Sequence, residues 1–502
     1  MRRLLNGLGG RAELLTPAEM ARADALAAGS GAPGPKLMEA AGRAVVRAVR
    51  ARFRPCRTLV LCGPGNNGGD GYVAARLLAQ AGWPVAAATL APPRAGSDAA
   101  GAAAAWHGPN LPFRAAEAAR AGLVIDAVFG AGLTRDLGGL AAEVLAAAPR
   151  LVAVDVPSGI DGATGAMRGF APRAALTVTF FRLKPGHLLL PGRTHCGEIV
   201  LADIGLPARV LRTVRPACFA NTPELWRLPY LEPAAHKYTR GHVTVLGGAA
   251  MTGAARLATE AARRIGAGMV TIAAPTAASA TVYRAGAPGA IVTEAALADL
   301  LLDPRRAVWV CGPGLGVEAA RTALPELLRA GRQVVADADV FTAFAGAPEA
   351  LMGAAVLTPH AGEFARAFGP PGADRIGAAR AAAARTGAVV LLKGADTIIA
   401  SPDGRCAMNA NAPPWLATAG AGDVLAGIIA GLLAQGLPAF EATAAAAWLH
   451  GQAAGDAGEG MVAEDLSEAL AAAVAAARRI AAPGTDPRRG APSVIPAPAT
   501  DR

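Results

Sequence analysis

A chain of 502 residues is too long for one ordinary core, so two domains, or three, are expected. Hydrophobic residues make up 53% against 17% charged, which excludes a disordered protein, and much of the apolar fraction is alanine. The net charge of +10 is spread along helical stretches and is not interleaved with stacking aromatics, which are only 4% of the chain, so a nucleic-acid partner is not expected.

The start Met1-Arg2-Arg3-Leu4-Leu5 runs into Asn6, Gly7 and Arg11, without the apolar core of a signal peptide. No uncharged run has the length and Leu/Ile/Phe density of a spanning helix, so no membrane partner is expected. The six cysteines, at 56, 62, 196, 218, 311 and 406, form no C-x-x-C pair and read as buried thiols of a reducing, cytoplasmic compartment.

In the first half, apolar runs at 58–62, 85–90, 123–127, 151–156 and 176–181 alternate with stretches of helical period, which predicts parallel strands with crossover helices. Pro216, Pro223, Pro229 and Pro233 punctuate a connection over 216–235. A second series follows at 242–246, 269–273, 307–311, 333–336, 355–357 and 388–392. From Ala482 five prolines and no apolar period predict a disordered tail over 482–502. The implied domains are 1–215 and 236–481.

Three strand ends of the first half carry ligand-like side chains. Gly63-Pro64-Gly65-Asn66-Asn67-Gly68-Gly69-Asp70-Gly71 leads into a helix expected over 72–80. Its glycines satisfy G-x-G-x-x-G, but the next strand ends Thr89-Leu90-Ala91-Pro92 with no carboxylate before Asp98, so ordinary hydride transfer is disfavoured. Such a loop can hold a diphosphate on its backbone N–H groups while its amide oxygens face a cation or a sugar. Asp126 ends another strand, and Asp155 with Ser158 a third. Ligands of a parallel sheet bind outside the carboxyl ends of its strands, so Asn67, Asp126, Asp155 and Ser158 converge in one crevice, unless the aspartates only cap turns.

In the second half, Gly247 to Ala254, Cys311 to Gly316, Thr358-Pro359-His360-Ala361-Gly362-Glu363 and Lys393 to Thr397 all follow strands. The stretch Gly420-Ala421-Gly422-Asp423 then opens an apolar helix expected over 424–433. Glycines let an anion reach the unpaired amides of that helix, and a carboxylate placed there needs a separate task such as taking a proton. The plain alternatives are an Asp cap, a structural His360 and a solvated Lys393.

The first domain resembles the NAD(P)HX epimerase family through Leu37 to Gly42, Gly63 to Gly71, Asp126 to Arg135 and Asp155 to Asp161. The second, over about 236–475, resembles the ADP/ATP-dependent NAD(P)HX dehydratases, including Ala463-Glu464-Asp465-Leu466. The resemblance implies a Rossmann-like three-layer α/β/α domain followed by a ribokinase-like α/β domain. It implies that Asn66, Asn67, Gly68, Gly69 and Asp70, with Gly130, Ala131, Gly132, Leu133, Thr134, Arg135, Asp136 and Asp155, contact the hydrated dinucleotide. Asn67, Asp126 and Ser158 would hold K+, and Asp155 is the candidate proton-transfer group. In the dehydratase half it implies that Ala254, Gly314, His360 and Asp423 meet the substrate. Lys393, Gly394, Ala395, Asp396, Thr397 and Gly422 would meet the adenine nucleotide, with Mg2+ accompanying the ADP or ATP. Asp423 would be the base. Ala421 stands where the family commonly has threonine, removing a hydroxyl but keeping both glycines and the aspartate.

The substrates so implied are NADHX, NADPHX and ADP or ATP, and a homo-oligomer is left open. Two rival readings are a small-molecule kinase in the second half, which would share Asp423 but release a stable phosphoester, and a catalytically silent binding module in the first.

Overall fold

The computed structural model describes residues 4–5, 8–29 and 31–481, so the tail expected over 482–502 lies outside the described residues. The described residues divide into two compact units, one over 13–219 and the other comprising those of 4–12 and 220–481.

The first unit is built on α1 (Pro17–Ala28), α2 (Gly34–Arg50), β1 (Thr58–Cys62), α3 (Asn66–Gln80), β2 (Val85–Thr89), β3 (Asn110–Leu111), β4 (Leu123–Ala127), α4 (Gly139–Ala146), β5 (Leu151–Val154), β6 (Leu176–Phe180) and β7 (Glu198–Ala202). The sheet order is β3-β2-β1-β4-β5-β6-β7, and every neighbouring pair is parallel. Alternate residues of the same strands enter two separate cores. Val60, Ile125 and Val152 pack with Val45, Val49 and Leu78 of α2 and α3, while Leu59, Leu61 and Val124 pack with Val144 and Leu145 of α4. Helices therefore cover both faces, which is why β1, β4 and β5 read as continuous apolar runs. This is the expected three-layer arrangement, with the strand order reversing between β1 and β4, where ligands of such sheets bind.

Helix α3 begins at Asn66, six residues ahead of the expected Tyr72. Glycine disfavours a helix interior, but here close packing overrides propensity: a Cβ on Gly68 would lie 1.9 Å from the Gly63 carbonyl oxygen, and one on Gly71 would lie 2.5 Å from the Ala127 Cβ.

The second unit contains β8 (His242–Leu246), α5 (Thr252–Arg264), β9 (Met269–Ala273), β10 (Ile291–Thr293), β11 (Val308–Cys311), β12 (Gln333–Ala336), β13 (Val356–Leu357), α6 (Ala361–Phe368), β14 (Val389–Leu392), β15 (Thr397–Ala400), β16 (Cys406–Asn409), α7 (Ala421–Ala434), α8 (Ala439–Ala457) and α9 (Ala463–Ala481). Its strands follow the order β16-β15-β14-β13-β12-β11-β8-β9-β10. They are parallel except where β15 pairs antiparallel with both β14 and β16. Within this unit no strand is expected from the sequence at β10, β15 or β16, each of only three or four residues, too short for its periodicity to stand out.

The segment read as a linker over 216–235 is not all connection. Cys218–Ala220 is a strand, pairing antiparallel with Glu13–Leu14. A three-residue strand carries no period of its own, and its partner is remote in sequence. Among the described residues no helix is long and apolar enough to cross a membrane.

Helix α7 is apolar almost all round and lies against α5 and strands β11 and β12. The helices α5 and α7 approach so closely that a Cβ on Gly427 would sit 2.1 Å from the Ala258 carbonyl oxygen. A side chain there must push apart the helix that carries Asp423. Gly427→Val is expected to destabilise the second unit by about 2–3 kcal/mol, as overpacked cores do; urea unfolding within 0.5 kcal/mol of the parent would contradict this packing account.

Candidate active sites

In the first unit a cavity of about 670 Å³ opens at the carboxyl ends of the central strands. It is lined by Asn66, Asn67 and Asp70 at the start of α3, by the run 130–135 after β4 and by Asp155 after β5. Of the other residues implied to touch the dinucleotide, Gly68 and Gly69 are buried in the first turn of α3, and Asp136 is exposed beyond the lining run.

Asp126 and Ser158 lie beneath the lining, fully buried and bonded to each other. The Ser158 hydroxyl donates to Asp126 Oδ1 at 2.6 Å, and the Ser158 and Val128 amides donate to its carboxylate at 2.9 and 3.2 Å. Burial raises Asp126 to about 6 against these bonds. Among the described residues no cationic side chain pairs with it. Asn67 has a buried Nδ2 without a hydrogen-bond partner, and a Cβ added to Gly130 would stand 3.3 Å from Asn67 Oδ1 and 3.2 Å from Asp155 Oδ2. Glycine at 130 thus keeps open the gap beside these two side chains.

Asp155 is held from several directions. Its φ of 68° is left-handed, a strained state for a residue with a Cβ. Its N–H donates to Val178 O at 2.8 Å, and His187 Nε2 bonds its carbonyl at 2.8 Å. His187 Nδ1 accepts the Lys184 amide at 2.9 Å, so the ring donates through Nε2. Lys184 Nζ donates to Asp155 Oδ1 at 2.6 Å and to Thr179 Oγ1 at 3.0 Å, and Ala131 N donates to Oδ2 at 3.1 Å. Burial alone would raise the Asp155 pKa, but Lys184 outweighs it and holds the carboxyl at about 2. In the same cavity burial lifts Asp24 to about 6 and Asp70 well above the usual carboxylate range.

The second site gathers on the carboxyl ends of β11 to β14 and the start of α7. Ala254 and Gly314 are neighbours, since a Cβ on Gly314 would come within 3.0 Å of the Ala254 Cβ. His360 caps α6: its Nδ1 accepts the Gly362 and Glu363 amides at 3.0 and 3.2 Å, while Glu363 Oε2 accepts the His360 amide at 2.7 Å. Nδ1 is therefore committed to structure, while Nε2, 3.4 Å from Glu363 Oε1, is the ring nitrogen left to meet a ligand. Lys393 pairs in register with His360, its amide donating to Pro359 O at 2.8 Å.

The Lys393 ammonium is mostly buried and is not the solvated lysine that its strand-end position might suggest. Nζ lies 2.6 Å from Asp337 Oδ1 and 3.6 Å from Glu363 Oε2. A Cβ on Gly422 would be 3.5 Å from Nζ, which places the first turn of α7 against this cluster. Burial would lower Lys393, but Asp337, Glu363 and Asp423 outweigh it and keep its pKa above the ordinary value. Asp423 is half-buried and lifted to about 6, chiefly by burial and by Asp337, with Lys393 opposing.

In the turn from Lys393 to Thr397, the Thr397 hydroxyl donates to Gly394 O at 2.8 Å, and buried Asp396 is bonded to Arg375 at 2.5 Å. Gly420 caps α7 with φ of 86°. The stretch from Ala463 opens α9, where Asp465 accepts the Val462 amide at 2.8 Å.

Comparison with known proteins agrees with this division. A family model described as YjeF-related protein N-terminus matches residues 34–186, and one described as NAD(P)H-hydrate dehydratase matches residues 243–475. A bifunctional NAD(P)H-hydrate repair enzyme of Mycobacterium tuberculosis is 43% identical over 398 residues, covering 77% of this chain and 80% of its own. One from Moorella thermoacetica is 39% identical over 491 residues, covering 88% and 92%. The chain belongs to the bifunctional NAD(P)H-hydrate repair enzyme family. The two expected domain types, Rossmann-like and then ribokinase-like, come with that membership. A solved ADP/ATP-dependent NAD(P)H-hydrate dehydratase of Bacillus subtilis, co-crystallised with ATP and Mg2+, is 28% identical and covers 51% of this chain and 96% of its own, with a TM-score of 0.43.

Several side chains of these two candidate sites escape sequence reasoning: Lys184, Thr179, His187 and Asp24 in the first unit, Asp337 in the second. Asp337 directly follows β12, so the strand-end rule that finds Asp155 would also have found it. Asp24 carries no such signal, being brought in by α1. For Asp423, carboxyl ¹³C NMR is expected to give a midpoint near 6, and Lys393→Met should move it higher; a midpoint near 4, the ordinary carboxylate value, would refute the geometry.

Proposed function

We propose that the two sites perform successive repairs of hydrated NAD(P)H, the first interconverting the epimers at C6 and the second dehydrating the S form at the expense of ADP or ATP. The observation that carries this reading is the pairing, in one chain, of a partly buried Asp423 at the mouth of α7 with a separate cavity holding the anionic Asp155. In domain terms, 1–215 is the epimerase and 236–481 the dehydratase, joined through 216–235.

Hydroxide is a poor leaving group at neutral pH, whereas phosphate is a good one. Asp423, ionised above about pH 6, takes the proton of the C6 hydroxyl as its oxygen attacks the terminal phosphorus. The donor's bridging oxygen leaves with its electron pair. The ring nitrogen then expels phosphate, and loss of a C5 proton restores the double bond. Lys393 and the amides of Ala421 and Gly422 steady the transferring phosphoryl group. Ala254, Gly314 and His360 Nε2 meet the hydrated ring, and the turn 393–397 meets the adenine nucleotide. Mg2+ accompanying the nucleotide would be held mainly by its phosphates. Asp337 and Glu363, gathered about Lys393, are the carboxylates that would complete its shell. When bound, it neutralises phosphate charge.

In the first unit, C6 carries both the hydroxyl and the ring nitrogen. Asp155 accepts the hydroxyl proton as the C–O bond becomes a carbonyl, and the C6–N1 electron pair returns to N1, which takes up a proton. Closure on the other face reverses each transfer. The buried, cation-free Asp126 with Ser158, and Asn67 with its unpartnered amide, fit a K+ ion: exchanging the assigned amide O and N turns an oxygen inward. Bound there, such an ion would supply fixed positive charge to the cavity. The run 130–135 and the start of α3 bind the phosphates and ribose. The six cysteines, none in a disulfide, support a cytoplasmic setting.

Pure protein is mixed with both epimers of hydrated NADH and with ADP or ATP, and the nicotinamide absorbance and free phosphate are followed. Both epimers are expected to convert fully, with one phosphate released per NADH; a stable phosphoester without recovered NADH would mark a small-molecule kinase instead. Asp423→Asn should abolish dehydration and spare epimerisation, and Asp155→Asn should do the reverse. Wild-type dehydration by Asp423→Asn would remove it as the base.

A further inference from the structure

The lining of the first cavity carries four carboxyls, Asp24, Asp70, Asp98 and Asp155, and among its described residues one buried cation, Lys184. That lysine is 3% exposed at its side chain and is committed to one of the four. Its Nζ reaches Asp155 Oδ1 at 2.6 Å and Thr179 Oγ1 at 3.0 Å, and the Thr179 hydroxyl itself donates to the same Oδ1 at 3.0 Å. Oδ1 is thus saturated, whereas Oδ2 has only the Ala131 amide at 3.1 Å and stands at the gap that Gly130 leaves. The backbone of Lys184 feeds the same purpose, its amide fixing the His187 tautomer that ties the Asp155 carbonyl. Asp70 lies in the same lining, and among the described residues no ion pair neutralises it.

We propose that Lys184 is a positioning residue of the epimerisation site: by gripping Asp155 through Oδ1 it makes Oδ2 the fixed proton acceptor of the cavity and leaves the Asp70 carboxyl as the proton donor. This inference rests on the epimerase reading of the first unit. Two like carboxyls in one cavity do not both ionise readily, and the one beside a cation keeps its charge while the other keeps its proton. The opposed pKa directions of Asp155, held down, and Asp70, pushed up, agree with that geometry. In the ring-opening step Oδ2 takes the C6 hydroxyl proton, the C6–N1 electron pair goes to N1, and Asp70 gives N1 its proton. Reclosure on the other face returns both protons. The further titratable groups that bear on Asp155 are His187, held neutral with its pKa lowered to about 4, Asp24 on α1, and the buried Cys196 thiol, held up to about 12.

The test uses the full chain and the R epimer of hydrated NADH without nucleotide, following R-to-S exchange by chromatography over about pH 5 to 9, a span that brackets the shifted carboxyls. ADP-dependent dehydration of the S epimer by the same preparations serves as the internal control. Lys184→Met is expected to lower kcat for exchange by about 100-fold, on the scale of general acid–base catalysis, with KM changed far less. It should also introduce an acid limb that the wild type lacks in this range. Lys184→Arg should recover most of the rate and lose that limb, and Thr179→Val should show a weaker form of it. Asp70→Asn should lower kcat comparably and abolish the alkaline limb. Folding of the first unit is checked by near-ultraviolet circular dichroism, and the Arg and Val variants decide the matter if the Met variant fails that check. Profiles for folded Lys184 and Thr179 variants that superimpose on the wild type would overturn the proposal. Absence of exchange by the wild type would instead overturn the epimerase reading itself.

Discussion

In each unit a lysine largely withdrawn from solvent lies 2.6 Å from an aspartate at the carboxyl end of a parallel strand, Lys184 on Asp155 and Lys393 on Asp337. Together with burial, these pairs set the charge of the carboxyls around them. A carboxylate taken out of water is costly unless paired, and its neighbours then respond to whatever charge remains. In the first cavity Lys184 is held on Asp155, and burial lifts Asp70 and Asp24 against the attraction of that lysine. In the second, Asp337 takes the short contact with Lys393 and helps push Asp423 up to about 6, a value suited to a base working near neutrality.

Both pairs are possible because the sheets are covered on both faces. Parallel strands whose side chains are apolar on either side leave polar chemistry to the loops at their carboxyl ends. The same constraint explains the glycines. Gly68 and Gly71 let α3 start almost on top of β1 and β4, and Gly427 lets α7 settle against α5. Larger residues would hold the helix termini, and the groups they carry, away from the strand ends.

Much of this was legible beforehand. Strand positions such as 58–62, 123–127, 242–246 and 269–273 agree with the structure because buried parallel strands are dense apolar runs. Asn67, Asp70 and Asp155 announce themselves by following such runs. His360 was more ambiguous: its position suggests a ligand contact, while the structure gives its Nδ1 the work of a helix cap. Thr397–Ala400 and Cys406–Asn409 were invisible because strands of four residues leave no periodic signature.

The sequence by itself determined the class of fold, the two-part organisation and the family, since apolar periodicity and strand-end motifs are local properties of the chain. It also marked Asp423 and Asp155 as the residues to watch. Only the tertiary structure decided their protonation, because a pKa depends on burial and on charges that arrive from elsewhere in the chain. Lys184 lies 29 residues from Asp155, and Lys393 lies 56 from Asp337. No local pattern encodes those distances. They exist because the parallel sheet brings successive strand ends side by side, where one lysine can settle the charge of a whole cavity.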